Sequence, residues 1–310
     1  MGRGRTFVKM KRLTVMLLVL TIFISTDIAQ QPQQRGGLED PPWLKEFAFK
    51  RIVYSVPGMT RVKVVKDRVY KRAGAAELKM DVYSPPNATR GTRRPAVIFI
   101  HGGRIPPNLR TTLKEWGAYV SFGQLVAVSG FVGVTFNHRF YTWDSLPDSQ
   151  SDLTDLITHV RNNADSLGVD KDRIVLWAVS AGGVFLGHPL RDAQPYIRCI
   201  VGYYPQLDLQ NARKSAPASV TDETLREYST IHHLGNRDKG VPPIFIARAG
   251  LDDGALNDGV DRFIHLALSK NVTIEVVNHA TGHHGFDIED DNDRSREIIR
   301  RTIEFIKTHG

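Results

Sequence analysis

Arg173-Ile-Val-Leu-Trp-Ala-Val-Ser-Ala-Gly-Gly183 is the stretch on which the reading of this chain turns. A charged residue leads into five apolar ones, Ile174 to Ala178. A short continuous apolar run that ends in turn residues predicts a strand buried on both faces, as in a parallel sheet. Ser180 then stands among small residues, in the order Ala178-Val179-Ser180-Ala181-Gly182. A serine on a sharp turn after such a strand, ahead of a helix rich in small residues, has its hydroxyl exposed at the top of the sheet. The turn forces an unfavourable backbone conformation on the serine, and bulky neighbours would clash with the helix as it passes the strand. The usual pattern is G-x-S-x-G. Here Ala178 replaces the first glycine, a mild departure because alanine is nearly as small. On these residues by themselves, Ser180 could equally be the N-cap of a helix that starts near Ala181.

The 310 residues are 41% hydrophobic and 24% charged, the balance of an ordinary globular protein. About 260 of them look foldable, which suits one large α/β domain better than two small ones. Residues 1–12 carry Arg3, Arg5, Lys9, Lys11 and Arg12 and no acid, and residues 13–24 form an apolar run. Charge followed by a short apolar segment is the layout of a secretory signal peptide, here expected over 1–29, with an uncleaved anchor as the other reading. Loss of 1–29 would lower the formal charge from +8 to +4, since five bases and the acid Asp27 leave together. The remaining basic excess is scattered, without the Arg/Lys and aromatic clustering of a nucleic-acid groove. Cys199 is the only cysteine, so no intramolecular disulfide can form, and its apolar surroundings predict a buried small side chain. Asn87-Ala-Thr and Asn271-Val-Thr are glycosylation sequons, meaningful only in a eukaryote.

Residues 30–50 are expected as a linker and 51–310 as the folded domain. Arg61 to Lys71 reads as a hairpin around Lys66-Asp67, and Leu78 to Tyr83 as a strand closed by Ser84-Pro85-Pro86. Ala96 to Ile100 is a buried strand ending in His101-Gly102-Gly103. Helices are expected near 120–129, 152–163, 261–269 and 295–307, alternating with strands near 131–136, 197–203, 243–247 and 272–277. Such alternation predicts a mostly parallel central sheet flanked by helices on both faces. Residues 204–236 fit the alternation poorly and are expected as a small cap insertion.

Ligands of an open α/β sheet bind at the carboxyl ends of its strands, and reactive chemistry gathers there. Gly102 and Gly103 let the chain turn so that amide N–H groups face a developing oxyanion, beside the N–H of Ala181 after the serine. Gly250-Leu251-Asp252-Asp253 places a carboxylate just past a strand, and His283-His284-Gly285-Phe286 follows another. A serine hydroxyl is a poor nucleophile until a histidine takes its proton, and an aspartate must hold that histidine in the right tautomer. Ser180, Asp252 and His284 are the expected members, in the chain order nucleophile, acid, base. Asp253, otherwise a helix cap, and His283 are the adjacent alternatives.

His101-Gly-Gly, Val179-Ser-Ala-Gly-Gly183, Gly250-Leu-Asp252 and His284-Gly-Phe together resemble the α/β-hydrolase superfamily. More narrowly they are similar to its esterase/lipase-like group: the xylan- and feruloyl-ester esterases and the hormone-sensitive-lipase-like carboxylesterases. The resemblance spans about Val62 to Thr308. It implies the α/β-hydrolase fold and a serine esterase acting on small-molecule or carbohydrate-linked esters. The leader layout and scattered charge add the expectation of an exported, secreted or periplasmic, protein without nucleic acid or stable membrane association. Ala178 departs from the family pattern, and so does Arg104, which stands where a third glycine or an aromatic is common. A serine peptidase of the same fold would use the same residues, and a non-catalytic hydrolase-fold binding protein would keep only the scaffold. No H-E-x-x-H, calcium loop or phosphate-cradling glycine loop is present, so no metal or cofactor is implied. The acidic run 287–293 is expected to flank the last helix. Arg104 and Arg139 read either as contacts to an acidic substrate group or as structural arginines.

Overall fold

The computed structural model describes residues 47–89, 91–105, 109, 111–235 and 240–310. The expected signal peptide and the linker up to residue 46 lie outside these residues. The end of that linker stretch packs on the domain, with Ala48 buried and the Phe47 ring edge-on to Trp116 at 5.6 Å.

Eight strands form one sheet: β1 (Lys63–Ala73), β2 (Ala76–Ser84), β3 (Arg94–Ile100), β4 (Val132–Phe136), β5 (Val169–Val179), β6 (Ile197–Tyr203), β7 (Ile244–Ala249) and β8 (Ile274–His279). Their order is β1-β2-β4-β3-β5-β6-β7-β8. β2 pairs antiparallel with β1 and β4, and every pairing from β4 to β8 is parallel. Among the described residues, four longer helices and one short one pack on the sheet: α1 (Gly117–Val128), α2 (Leu146–Asn162), the six-residue α3 (Gly187–Asp192) that follows the serine turn, α4 (Gly254–Ser269) and α5 (Asp293–His309). This is the α/β-hydrolase fold.

Alternation along the strands explains the two layers. Ile98, Ile100, Leu176 and Ala178 face one side, where Leu153, Leu156 and Val160 of α2 and Val260 and Phe263 of α4 cover them. Val97, Phe99, Val175 and Trp177 face the other, under Phe122 and Leu125 of α1 and Ile298, Ile299 and Ile303 of α5. Central strands with covers on both faces need apolar residues at every position, hence the unbroken run in β5. Cys199 is buried in β6, and burial pushes its thiol up to about 12.

The hairpin expected within 61–71 is not what forms. β1 is one strand that pairs with β2 across a two-residue turn at Gly74-Ala75. Lys66-Asp67 is instead a bulge, where the register shifts and Asp67 adopts a φ of 57°. Its N–H donates to Asp81 (2.9 Å), and its carboxylate meets the buried Lys114 at 3.0 Å. A polar dipeptide inside a strand marks a bulge as readily as a turn. The helices begin earlier than their apolar spacing suggests, because caps set the first turn. Pro147 sits in the first turn of α2, and Asp253 caps α4.

Asp152 of α2 ties three elements together. Its buried carboxylate meets Lys71 of β1 at 2.7 Å, and it accepts from the guanidinium (2.8 and 2.9 Å) and the backbone N–H (3.0 Å) of Arg139, in the loop after β4. Arg139 is thus a structural arginine. Replacing Asp152 with alanine leaves Lys71 only the carboxylate of Asp155 (2.7 Å) and Arg139 only that of Asp148 (3.1 Å), both exposed. The expected loss is toward the lower end of roughly 3–5 kcal/mol, because solvent still reaches both cations. Urea unfolding at pH 7 measures it.

Between β6 and β7 the chain leaves the sheet. Residues 204–235 carry a six-residue helix (Asp222–Glu227) between two 3-10 turns. They are pinned to the Ser180 turn by Gln206 N–H to Ser180 O (2.8 Å) and Thr230 Oγ1 to Gly183 O (2.7 Å).

Candidate active site

Ser180 directly follows β5 with a φ of 54°, in the left-handed region that non-glycine residues rarely occupy. Such strain persists only where the surroundings over-determine it. Here the following segment, Ser180–Leu186, turns at once into a 3-10 helix that leads into α3. The turn is packed so closely that only glycine fits beside it. A Cβ on Gly182 would lie 2.4 Å from Ile100 O, and one on Gly102 would lie 2.6 Å from Val179 O and 2.7 Å from Ser180 Cβ. The loop after β3 and the serine turn therefore touch backbone to backbone. Gly102→Ala must push them apart. An expected fall in kcat of at least about 100-fold follows from misplacing reacting groups by a fraction of an ångström or more. Steady-state ester kinetics on the folded variant check it.

The serine hydroxyl lies 2.9 Å from His284 Nε2, and His284 Nδ1 lies 2.7 Å from Asp252 Oδ2. A carboxylate only accepts, so Nδ1 carries the proton and Nε2 is free to accept from the serine. The Asp252 side chain is fully buried and that of His284 is 15% exposed, which leaves the histidine open on the serine side. Backbone bonds hold the two loops in register: Gly250 N–H donates to His279 O and Leu251 N–H to Gly282 O, both at 2.9 Å. The neighbouring residues do other work. Asp253 accepts from Ala255 N–H (2.9 Å) and Leu256 N–H (3.2 Å) as the cap of α4. His283 Nδ1 pairs with Asp290 at 3.0 Å.

Three amides were expected around an oxyanion. Ala181 N–H opens the helix after Ser180, where amides have no intrahelical acceptor. Gly103 turns with a φ of 78°. Gly102 N–H points back at the Tyr119 hydroxyl of α1, 3.4 Å away. His101 lies beneath this loop, donating from Nδ1 to Gly102 O at 3.3 Å, and stacks on His138 with centroids 3.7 Å apart. Burial holds both rings neutral: it lowers His138 to about 3 and puts His101 well below the usual imidazole range. Arg104 lies over the Trp143 ring at 5.1 Å, and burial lowers its pKa.

Two residues at the site escaped the sequence reading. Tyr204 begins the excursion after β6, and its ring packs 4.5 Å from that of His284. Its hydroxyl donates to Asp287 Oδ1 at 2.5 Å. Asp287 was grouped with an acidic run before the last helix, yet the run divides. Asp293 does lie in the first turn of α5, whereas Asp287 is completely buried behind His284. The pairing of aspartate with Phe286 and Ile288, two apolar neighbours in His284-Gly-Phe-Asp-Ile288, was the available signal.

Among the described residues no group of three or more His, Cys, Asp or Glu side chains converges as a metal site would require, and no helix is long and apolar enough to cross a membrane. A family profile described as BD-FAE matches residues 80–187, from β2 through the serine turn. Carboxylesterase 3 of Pongo abelii is 28% identical over 109 residues, 34% of this chain and 19% of its own length. A secreted lipase of Arthroderma benhamiae is 28% identical over 174 residues, 49% of this chain and 34% of its own. The chain thus spans about a third or less of the curated relatives it matches. A propionate-bound thermophilic esterase from Thermogutta terrifontis superposes with a TM-score of 0.64 at 21% identity, over 81% of this chain and 96% of that one. The chain thus has the α/β-hydrolase fold, and in its matched segments it is similar to esterases and lipases.

Proposed function

We infer that the chain is an exported serine esterase that cleaves small-molecule or carbohydrate-linked carboxylic esters. The observation that carries this reading is the line of hydrogen bonds Ser180–His284–Asp252, at 2.9 and 2.7 Å, on a strained turn at the carboxyl end of β5. Ser180 Oγ attacks the ester carbonyl while its proton passes to His284 Nε2, and Asp252 stabilises the imidazolium. The oxyanion is met by the N–H groups of Ala181 and Gly103. Gly102 N–H, already directed at Tyr119, mainly keeps the loop in place. His284 returns the proton to the leaving alkoxide, the alcohol departs, and an acyl-Ser180 ester remains. Water then attacks that ester, losing a proton to His284. The serine recovers a proton and the acid is released.

The excursion over 204–236 is assigned as a cap bounding the acyl pocket. Export rests on the charge-then-apolar layout of residues 1–29, with which the secreted lipase among the relatives agrees.

Reaction of residues 30–310 with a fluorophosphonate tests the assignment directly. Mass mapping is expected to place one phosphonyl group on Ser180, with loss of fluoride and of ester hydrolysis together. Modification elsewhere, or none on folded protein that also turns over no p-nitrophenyl ester, would overturn it in favour of a binding role.

A further inference from the structure

His284 is contacted on three sides. Ser180 and Asp252 take its two nitrogens, and the ring of Tyr204 lies against its face at 4.5 Å. Tyr204 is itself held rigidly. Its φ is 34°, in the left-handed region, its N–H donates to Ala247 O at 2.7 Å, and its hydroxyl donates to Asp287 at 2.5 Å. A bulky residue with positive φ is strained, and strain of this kind gathers at sites where geometry matters more than stability. Asp287, in turn, is anchored through its carbonyl, which accepts from Val53 N–H at 2.8 Å.

We propose that Tyr204 and Asp287 are a positioning pair for His284, in which the tyrosine ring fixes the imidazole and the buried carboxylate behind it favours the imidazolium formed during catalysis. The proposal rests on the esterase reading for its kinetic consequences, but not for the interaction itself.

Titratable groups reach Asp287 from several elements. Tyr204 and Tyr203 approach from β6 and its end, Tyr119 from α1, and His284 and Glu289 from its own segment. Burial pushes the carboxyl up to about 6, against the opposing pull of the Tyr204 hydroxyl and the His284 charge. Among these groups only His284 can carry a positive charge, so it is the one that receives the field of the ionised carboxylate. An ionised carboxylate favours the charged imidazole, and each pKa unit of that effect is a tenfold change in the equilibrium.

Two conservative variants separate this role from simple packing. Asp287→Asn keeps the shape and removes the charge. Tyr204→Phe keeps the ring and removes the hydroxyl, so the carboxyl ionises only at higher pH. Both should lower kcat by about tenfold at pH 6–7 while KM stays within about twofold, since the effect lies in the transition state. Their pH profiles should move in opposite directions. The acid limb of kcat shifts to lower pH in Asp287→Asn, because the imidazolium is less favoured. It shifts to higher pH in Tyr204→Phe, because full activity then waits for a later ionisation. NMR titration of the His284 imidazole in wild type and Asp287→Asn needs no substrate, and should show the variant's histidine losing its proton at lower pH. An unmoved His284 titration, or a fall in kcat with both acid limbs in place, overturns the pair as a positioning device. Absence of ester turnover with a shifted titration would overturn only the esterase reading.

Discussion

Ser180→Ala is expected to abolish ester hydrolysis, with kcat reduced by roughly 10⁴- to 10⁶-fold. The protein should otherwise be intact. The substitution removes one oxygen from a half-exposed site, and β5 and its helix keep their packing. What remains is the oxyanion loop and the bound substrate, which retain some rate over water without a nucleophile. The Michaelis constant should change little, because the hydroxyl acts on the carbonyl only as the bond forms. Turnover of p-nitrophenyl acetate and butyrate, with circular dichroism to verify folding, measures both quantities. A variant that retains a tenth or more of wild-type turnover would show that the chemistry runs through another group.

Asp252→Asn should fall almost as far, by roughly 10³- to 10⁴-fold in kcat, with geometry preserved. The amide nitrogen of asparagine can donate to His284 Nδ1, which places the ring proton on Nε2, where it faces Ser180 and cannot receive the serine proton. The adjacent residue provides the contrast. Asp253→Ala loses two capping bonds on α4, an expected cost of about 1 kcal/mol in stability, while kcat should stay within a few-fold. Measuring kcat and the urea midpoint for both variants exchanges the two phenotypes if the assignment is reversed. Activity lost in Asp253→Ala and kept in Asp252→Asn would do that.

Much of this protein is legible in one dimension. The unbroken apolar runs of β3 and β5 announce strands covered on both faces, and their alternation with helices announces a parallel sheet. Ser180, the glycines after β3, Asp252 and His284 each stand at a strand end. Strand ends are where a parallel sheet gathers its loops, so the candidates can be named before any coordinates. Local residues also suffice to suggest Asp253 as a cap.

Other features exist only once the chain is folded. Lys66-Asp67 is equally compatible with a turn and a bulge, and it becomes a bulge because β2 pairs on both sides of it. Arg139 could have faced a substrate, but α2 brings Asp152 beneath it. Asp287 reads as one of several acids near a helix start, and only the approach of β6 puts Tyr204 on it and excludes water. These outcomes depend on side chains far apart in sequence meeting in a medium of low polarity, where a charge takes its behaviour from whatever packs against it. Hydrophobic pattern and backbone preference act over a few residues and survive in the linear chain. Partnership between buried polar groups does not, and it is tertiary packing that decided which carboxylates build this scaffold and which stand beside its histidine.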